Sequence, residues 1–94
     1  MRGGARREGT PRLDGLRRFL KAVKELGPTS VYHAARESGL PYITAYRYTR
    51  YCLEKGLMAS LRESGRGSLQ LILTERGQKL LEALKALAAP EPAA

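Results

Sequence analysis

Apolar residues recur at intervals of three and four along the first half of the chain, switch to strict alternation after residue 56, and return to helical spacing near the end. Leu13, Leu16, Leu20 and Val23, joined by Phe19 and Leu26, define the buried stripe of a first helix, with Arg17, Arg18, Lys21 and Lys24 on the remaining surface. Thr10 followed by Pro11 has the form of an N-cap with proline at the first helical position, and Gly27-Pro28 ends the helix. A short second helix starts at Thr29 or Ser30, either of which can cap it, and runs to about residue 38 with Val31, Ala34 and Ala35 inward. Gly39-Leu40-Pro41 then forms a turn, and a third helix occupies residues 41–55 until Gly56 stops it. Three residues between two helices is the spacing of a helix-turn-helix.

From Leu57 the period falls to two. Leu57, Ala59 and Leu61 alternate with Met58, Ser60 and Arg62, and Leu69, Leu71 and Leu73 alternate with Ser68, Gln70 and Ile72. These runs predict a β-hairpin around the five-residue loop 63–67. Thr74 can cap a last helix over residues 75–88, whose Leu80, Leu81, Leu84, Leu87 and Ala88 form a stripe wide enough both to close the core and to meet a second copy. The expected organisation is a basic arm (residues 1–9), one domain (10–89) and a short tail (90–94) ended by Pro90 and Pro92. The fold class predicted is mainly α with a small β-hairpin, in the order helix, helix, helix, strand, strand, helix. No internal repeat is visible.

Composition narrows the function. Ninety-four residues support one core, no apolar run is long enough to span a membrane, and the Gly- and Arg-rich start lacks the apolar stretch of a secretory signal. A cytoplasmic, nucleoid-associated location is expected. One cysteine and one histidine provide neither an internal disulfide nor a zinc site within one chain. His33 reads as an exposed or capping residue of the second helix. The absence of Asn and Trp and the presence of only two Gln point towards a thermophilic source. Seventeen Lys and Arg against nine Asp and Glu leave a formal charge of +8, and the excess lies before residue 74. Twelve of the seventeen are arginine, whose planar fork suits phosphates and base edges. That balance is the footprint of a nucleic-acid binder.

The third helix carries the most specific signal. At about 100° per residue, Ala45, Tyr48, Thr49 and Cys52 share one side, flanked by Leu53. Ile43, Arg47, Arg50 and Glu54 cluster opposite, with Tyr46 and Tyr51 on the flanks and Thr44 tilted towards the start. Together with Tyr42, this outer face has no acid before Glu54 and suits a DNA major groove. Arginine forks onto guanine, Thr and Tyr hydroxyls reach phosphates or base edges, and an apolar side chain such as Ile43 suits a thymine methyl. A plainer reading stands beside this one: two arginines can be merely solvated, and Tyr46 and Tyr51 can simply bridge core to surface. Tyr48 and Cys52 are expected in the core.

The order of elements over about residues 12–88 resembles the winged helix-turn-helix family, in particular small prokaryotic regulators of the MarR or PadR kind and their archaeal relatives. The resemblance rests on the run from Ser38 through Leu40 into Arg47, on Leu53-Glu54-Lys55-Gly56-Leu57, and on Leu73-Thr74-Glu75-Arg76-Gly77-Gln78-Lys79-Leu80-Leu81. Cys52 departs from it, standing where the family generally keeps a large aliphatic residue. The resemblance implies that the third helix enters the major groove while the hairpin loop lies along a minor groove or the backbone. Arg62 and Arg66 would then contact phosphate or minor groove, with Gly65 and Gly67 permitting close approach.

The function expected is double-stranded DNA binding by a transcriptional regulator, working as a homodimer through the helix over residues 75–88. Two alternatives are an RNA- or ribosome-associated winged-helix protein and a protein-interaction winged helix. No cofactor, metal or small-molecule ligand is inferred. An enzyme is not expected, because one His, one Cys and one Asp leave no constellation of acid, base and nucleophile.

Overall fold

The computed structural model describes residues 12–62 and 69–88. The expected arm, the Thr10-Pro11 pair, the loop 63–67 with Arg66, and the tail lie outside the described residues. The order is α1 (Leu13–Leu26), α2 (Val31–Ser38), α3 (Tyr42–Glu54), β1 (Met58–Arg62), β2 (Leu69–Leu73) and α4 (Glu75–Ala88), as the sequence predicts. No described helix is long and apolar enough to cross a membrane.

The boundaries depart modestly from expectation. Helix α1 begins two residues after Pro11, because Arg12 is extended and its carbonyl accepts the first helical bond, from the Leu16 amide at 2.8 Å. Asp14 supplies the negative charge favoured in a first turn. Helix α2 is capped by Ser30, whose hydroxyl accepts the His33 amide at 3.1 Å and lies 3.0 Å from His33 Nδ1, so His33 is an exposed capping residue. Thr29 instead pairs with β2, exchanging both backbone bonds with Leu71 (3.1 and 2.6 Å). Helix α3 is one residue shorter at each end than predicted, and Pro41 stands just outside it as N-cap.

Two helices end on the same device. Gly39, left-handed at φ 74°, sends its amide to the Arg36 carbonyl while the Leu40 amide bonds Ala35; the Gly56 and Leu57 amides repeat this on Leu53 and Cys52. A side chain with a Cβ is strained at that φ, whereas glycine adopts it freely. In each case the leucine after the glycine turns back onto the core, so the chain reverses without wasting an apolar residue.

Helix α1 lies at the centre, packed on α2, α3, α4 and β2. Phe19, Leu20 and Val23 are fully enclosed, with Leu71, Leu81 and Cys52 among their companions in one core. Leu13 and Leu26, at the two ends of the predicted stripe, are exposed instead. Leu13 borders an open cleft with Leu84 and Leu87 of the last helix, and Leu26 borders another with Pro28, Thr29 and His33. The pairing of β1 with β2 decides which set of its alternating residues faces inwards. The register Met58↔Leu73, Ser60↔Leu71, Arg62↔Leu69 puts Met58 on the face of Leu71 and into the core, while Leu61 pairs with Gln70 and is exposed. Leu57 is buried as well, but as the residue that ends α3 rather than as part of the strand.

The last helix is fastened at Thr74. Its hydroxyl donates to the Gly56 carbonyl (2.8 Å) and accepts the Gly77 amide (3.0 Å), and its amide bonds the Leu57 carbonyl (3.1 Å). The end of α3, the end of β2 and the start of α4 thus meet on one side chain.

The seat of α3 on α1 requires a missing side chain. Tyr48 packs edge-on to Phe19, with ring centroids 6.1 Å apart and planes at 76°, and its hydroxyl occupies the space a Cβ at Gly15 would fill, only 2.6 Å away. Gly15→Ala is therefore expected to destabilise the fold by about 1–3 kcal/mol, despite the roughly 1 kcal/mol that alanine gains within a helix. Urea unfolding of the double-mutant cycle with Tyr48→Phe should return a coupling above about 0.5 kcal/mol; equal cost in both backgrounds would remove this contact from the account. A second expectation concerns Cys52, whose thiol burial pushes up from 9.0 to about 12. The stability it contributes as a protonated thiol is complete below pH 9.0 and is lost as pH rises towards about 12. Native protein at pH 8 should resist iodoacetamide and react fully once unfolded; mass spectrometry reads the difference.

Candidate nucleic-acid interface

The phase assigned to α3 holds on its inner side. Ala45, Tyr48, Thr49 and Cys52 are all buried, and the Thr49 hydroxyl is satisfied by donating to the Ala45 carbonyl at 2.8 Å. Because successive side chains are about 100° apart, burying this side turns the other to solvent. Tyr42, Ile43 and Tyr46 are 52%, 66% and 47% exposed, and Arg47, Arg50 and Glu54 are exposed beyond them. The structure therefore brings Tyr42, Ile43, Tyr46, Arg47 and Arg50 onto one open surface. Tyr42 and Tyr46 are one turn apart, with rings stacked at 6.4 Å and an interplanar angle of 21°.

Thr44 and Tyr51 fall on the opposite edge and are half-buried. Tyr51 packs against the core and holds the Lys55 ammonium 5.8 Å from its ring centroid, so it bridges core to surface as the plainer reading allows. Arg62 keeps its backbone place opposite Leu69 at the far end of the hairpin.

Three of the four cations of α1 differ from the arginines of α3 in their company. Arg17 pairs with Asp14 at 2.7 Å, Arg18 with the same carboxylate at 3.6 Å, and Lys21 with Glu25 at 3.5 Å. On α4, Lys85 pairs with Glu82 at 3.7 Å. Among the described residues Arg47 and Arg50 have no carboxylate within salt-bridge distance, although Glu54 is one turn beyond Arg50. Two uncompensated guanidinium groups on an exposed helix face are available to a polyanion.

Sequence reasoning passed over one exposed pair on α2. Arg36 donates to the Tyr32 hydroxyl at 3.3 Å and lies 5.8 Å over that ring. The i,i+4 spacing was the signal that could have found it. Among the described residues no group of His, Cys, Asp and Glu is arranged to hold a metal ion.

No family model matches the chain, and no curated protein matches it. Solved structures do. A MarR family transcription regulator, SP03579, superposes with a TM-score of 0.70 at 18% identity, covering 77% of this chain and 48% of that one. A MarR family transcriptional regulator from Silicibacter pomeroyi DSS gives a TM-score of 0.65 at 23% identity, covering 78% of this chain and 49% of that one. The chain thus spans about half the length of the regulators it matches. Three helices, a two-stranded antiparallel hairpin and a closing helix, arranged as in those proteins, make this a winged helix-turn-helix domain.

Proposed function

We propose that this chain is a double-stranded DNA-binding transcriptional regulator that lays α3 in the major groove. The observation that carries this reading is the outer face of α3, on which Arg47 and Arg50 stand exposed, with no acidic partner among the described residues, beside exposed Tyr42, Ile43 and Tyr46. The charge of +8 and the likeness of fold to two transcription regulators support it. Arginine forks specify guanine and tyrosine hydroxyls position the helix on phosphates. In this reading the hairpin, with Arg62 and Arg66, follows the neighbouring backbone or minor groove, and the work is done beside the chromosome in the cytoplasm. The domain acts by binding rather than by chemistry.

The reading includes a homodimer. Leu81 and Leu84 are buried in the domain's own core, so the leucine stripe of α4 is narrower outside than its sequence implies. What remains is Leu87, 74% exposed, beside Leu13, 63% exposed, around a shallow cleft also lined by Asp14, Arg17 and Leu84. A second copy covering these leucines would set two α3 helices about one turn of DNA, near 34 Å, apart.

Binding to a random duplex pool, titrated with salt and followed by sequencing of the survivors, tests the main claim. Arg47→Ala or Arg50→Ala should cost about 1–3 kcal/mol and relax preference at one base pair. Affinity unchanged in both variants, or clear preference for structured RNA at equal salt, would overturn it. Leu87→Asp should leave the circular dichroism unchanged and shift sedimentation at tens of micromolar from dimer to monomer. A wild-type protein that is monomeric both free and on DNA would remove the dimer.

A further inference from the structure

The outer face of α3 is divided in two. Residues 41–46 carry no charge, and this turn and a half concentrates three exposed large hydrophobic side chains, Tyr42, Ile43 and Tyr46. The guanidinium groups follow at Arg47 and Arg50. Elsewhere among the described residues, exposed Leu13 and Leu87 share a cleft, while Leu61 stands on the hairpin. Ile43 is the most open of the three and has no hydrogen-bonding atom in its side chain, so it gains from a partner only by being covered. Tyr42 and Tyr46, stacked on each other, form a firm wall along one side of it.

The major-groove edge of DNA offers one exposed apolar group, the C5-methyl of thymine. Ile43 and Arg50 lie within about 20° of each other around the helix, and Arg47 about 40° away, so all three address the same strip of groove. Arg47 stands one turn and Arg50 two turns beyond Ile43, and side chains spaced by about a turn on a helix in the major groove meet successive base pairs, so the two guanidinium groups fall about one to two steps from Ile43. Resting on the DNA-binding reading above, we propose that α3 reads a two-part element, a thymine recognised by its methyl against Ile43 and, about one to two base pairs away, a guanine recognised by Arg47 or Arg50. The charge of the second half supplies the attraction that brings the uncharged first half against the bases.

Deoxyuridine differs from thymidine only by that methyl and provides the test. A duplex recovered from the random pool is remade with deoxyuridine at one thymine at a time, and affinity is measured for the wild type and for Ile43→Ala. One thymine, about one to two base pairs from the guanine whose preference relaxes in Arg47→Ala or Arg50→Ala, should weaken wild-type binding about fourfold when its methyl is removed, the worth of one buried methyl group. Ile43→Ala should be weaker on the thymine duplex and indifferent to the same replacement. Ile43 is exposed, so thermal unfolding of the variant should match the wild type. A defined duplex that tolerates deoxyuridine at every thymine, or contains no thymine at that spacing, overturns this inference and leaves DNA binding intact. Failure to recover any duplex overturns the reading beneath it.

Discussion

The structure depends on the burial of one side of α3 in the core, where it packs on α2, β1 and α1. Tyr48 lies against Phe19 in the space left by the missing side chain at Gly15, and Ala45, Thr49 and Cys52 are buried on the same side of the helix. A helix is stiff and its side chains have fixed angular positions, so closing that contact also decides which residues face outwards. The arginines of α3 are displayed because the small and aromatic residues between them are taken up by the core.

The remaining elements hold that helix at both ends. Leu40 returns to the core just before it and Leu57 just after it, each behind a glycine that lets the backbone reverse. Thr74 then ties the end of α3 to the start of α4, while the Thr29–Leu71 bridge ties the hairpin to the entrance of α2. The helix-turn-helix and the hairpin are therefore parts of one body, and a surface on α3 is set rigidly relative to the hairpin strands.

Much of this was legible in the sequence because it rests on period. The inner face of α3 follows from spacing alone, as does the switch from helix to hairpin at Leu57. The misreadings occur where period is not the deciding factor. Leu13 and Leu26 have the right spacing but stand at the two ends of α1 on the margins of open clefts. In β1 alternation alone leaves open which set faces inwards, and the register puts Met58 on the inner face and leaves Leu61 exposed. The half-buried state of Tyr51 depends on its packing against the core and on Lys55, which no spacing rule conveys. Spacing alone does not settle ion pairing either: Glu54 is one turn beyond Arg50 on the same helix, and among the described residues neither Arg47 nor Arg50 has an acidic partner.

Dimethyl sulfate attack at guanine N7, an atom presented only in the major groove, tests the account most directly. In a saturated complex with a recovered duplex, one or more guanines should be protected by the wild type and become reactive again with Arg47→Ala or Arg50→Ala at equal occupancy. Undiminished N7 reactivity throughout the saturated wild-type complex would contradict the placement of α3 in the groove.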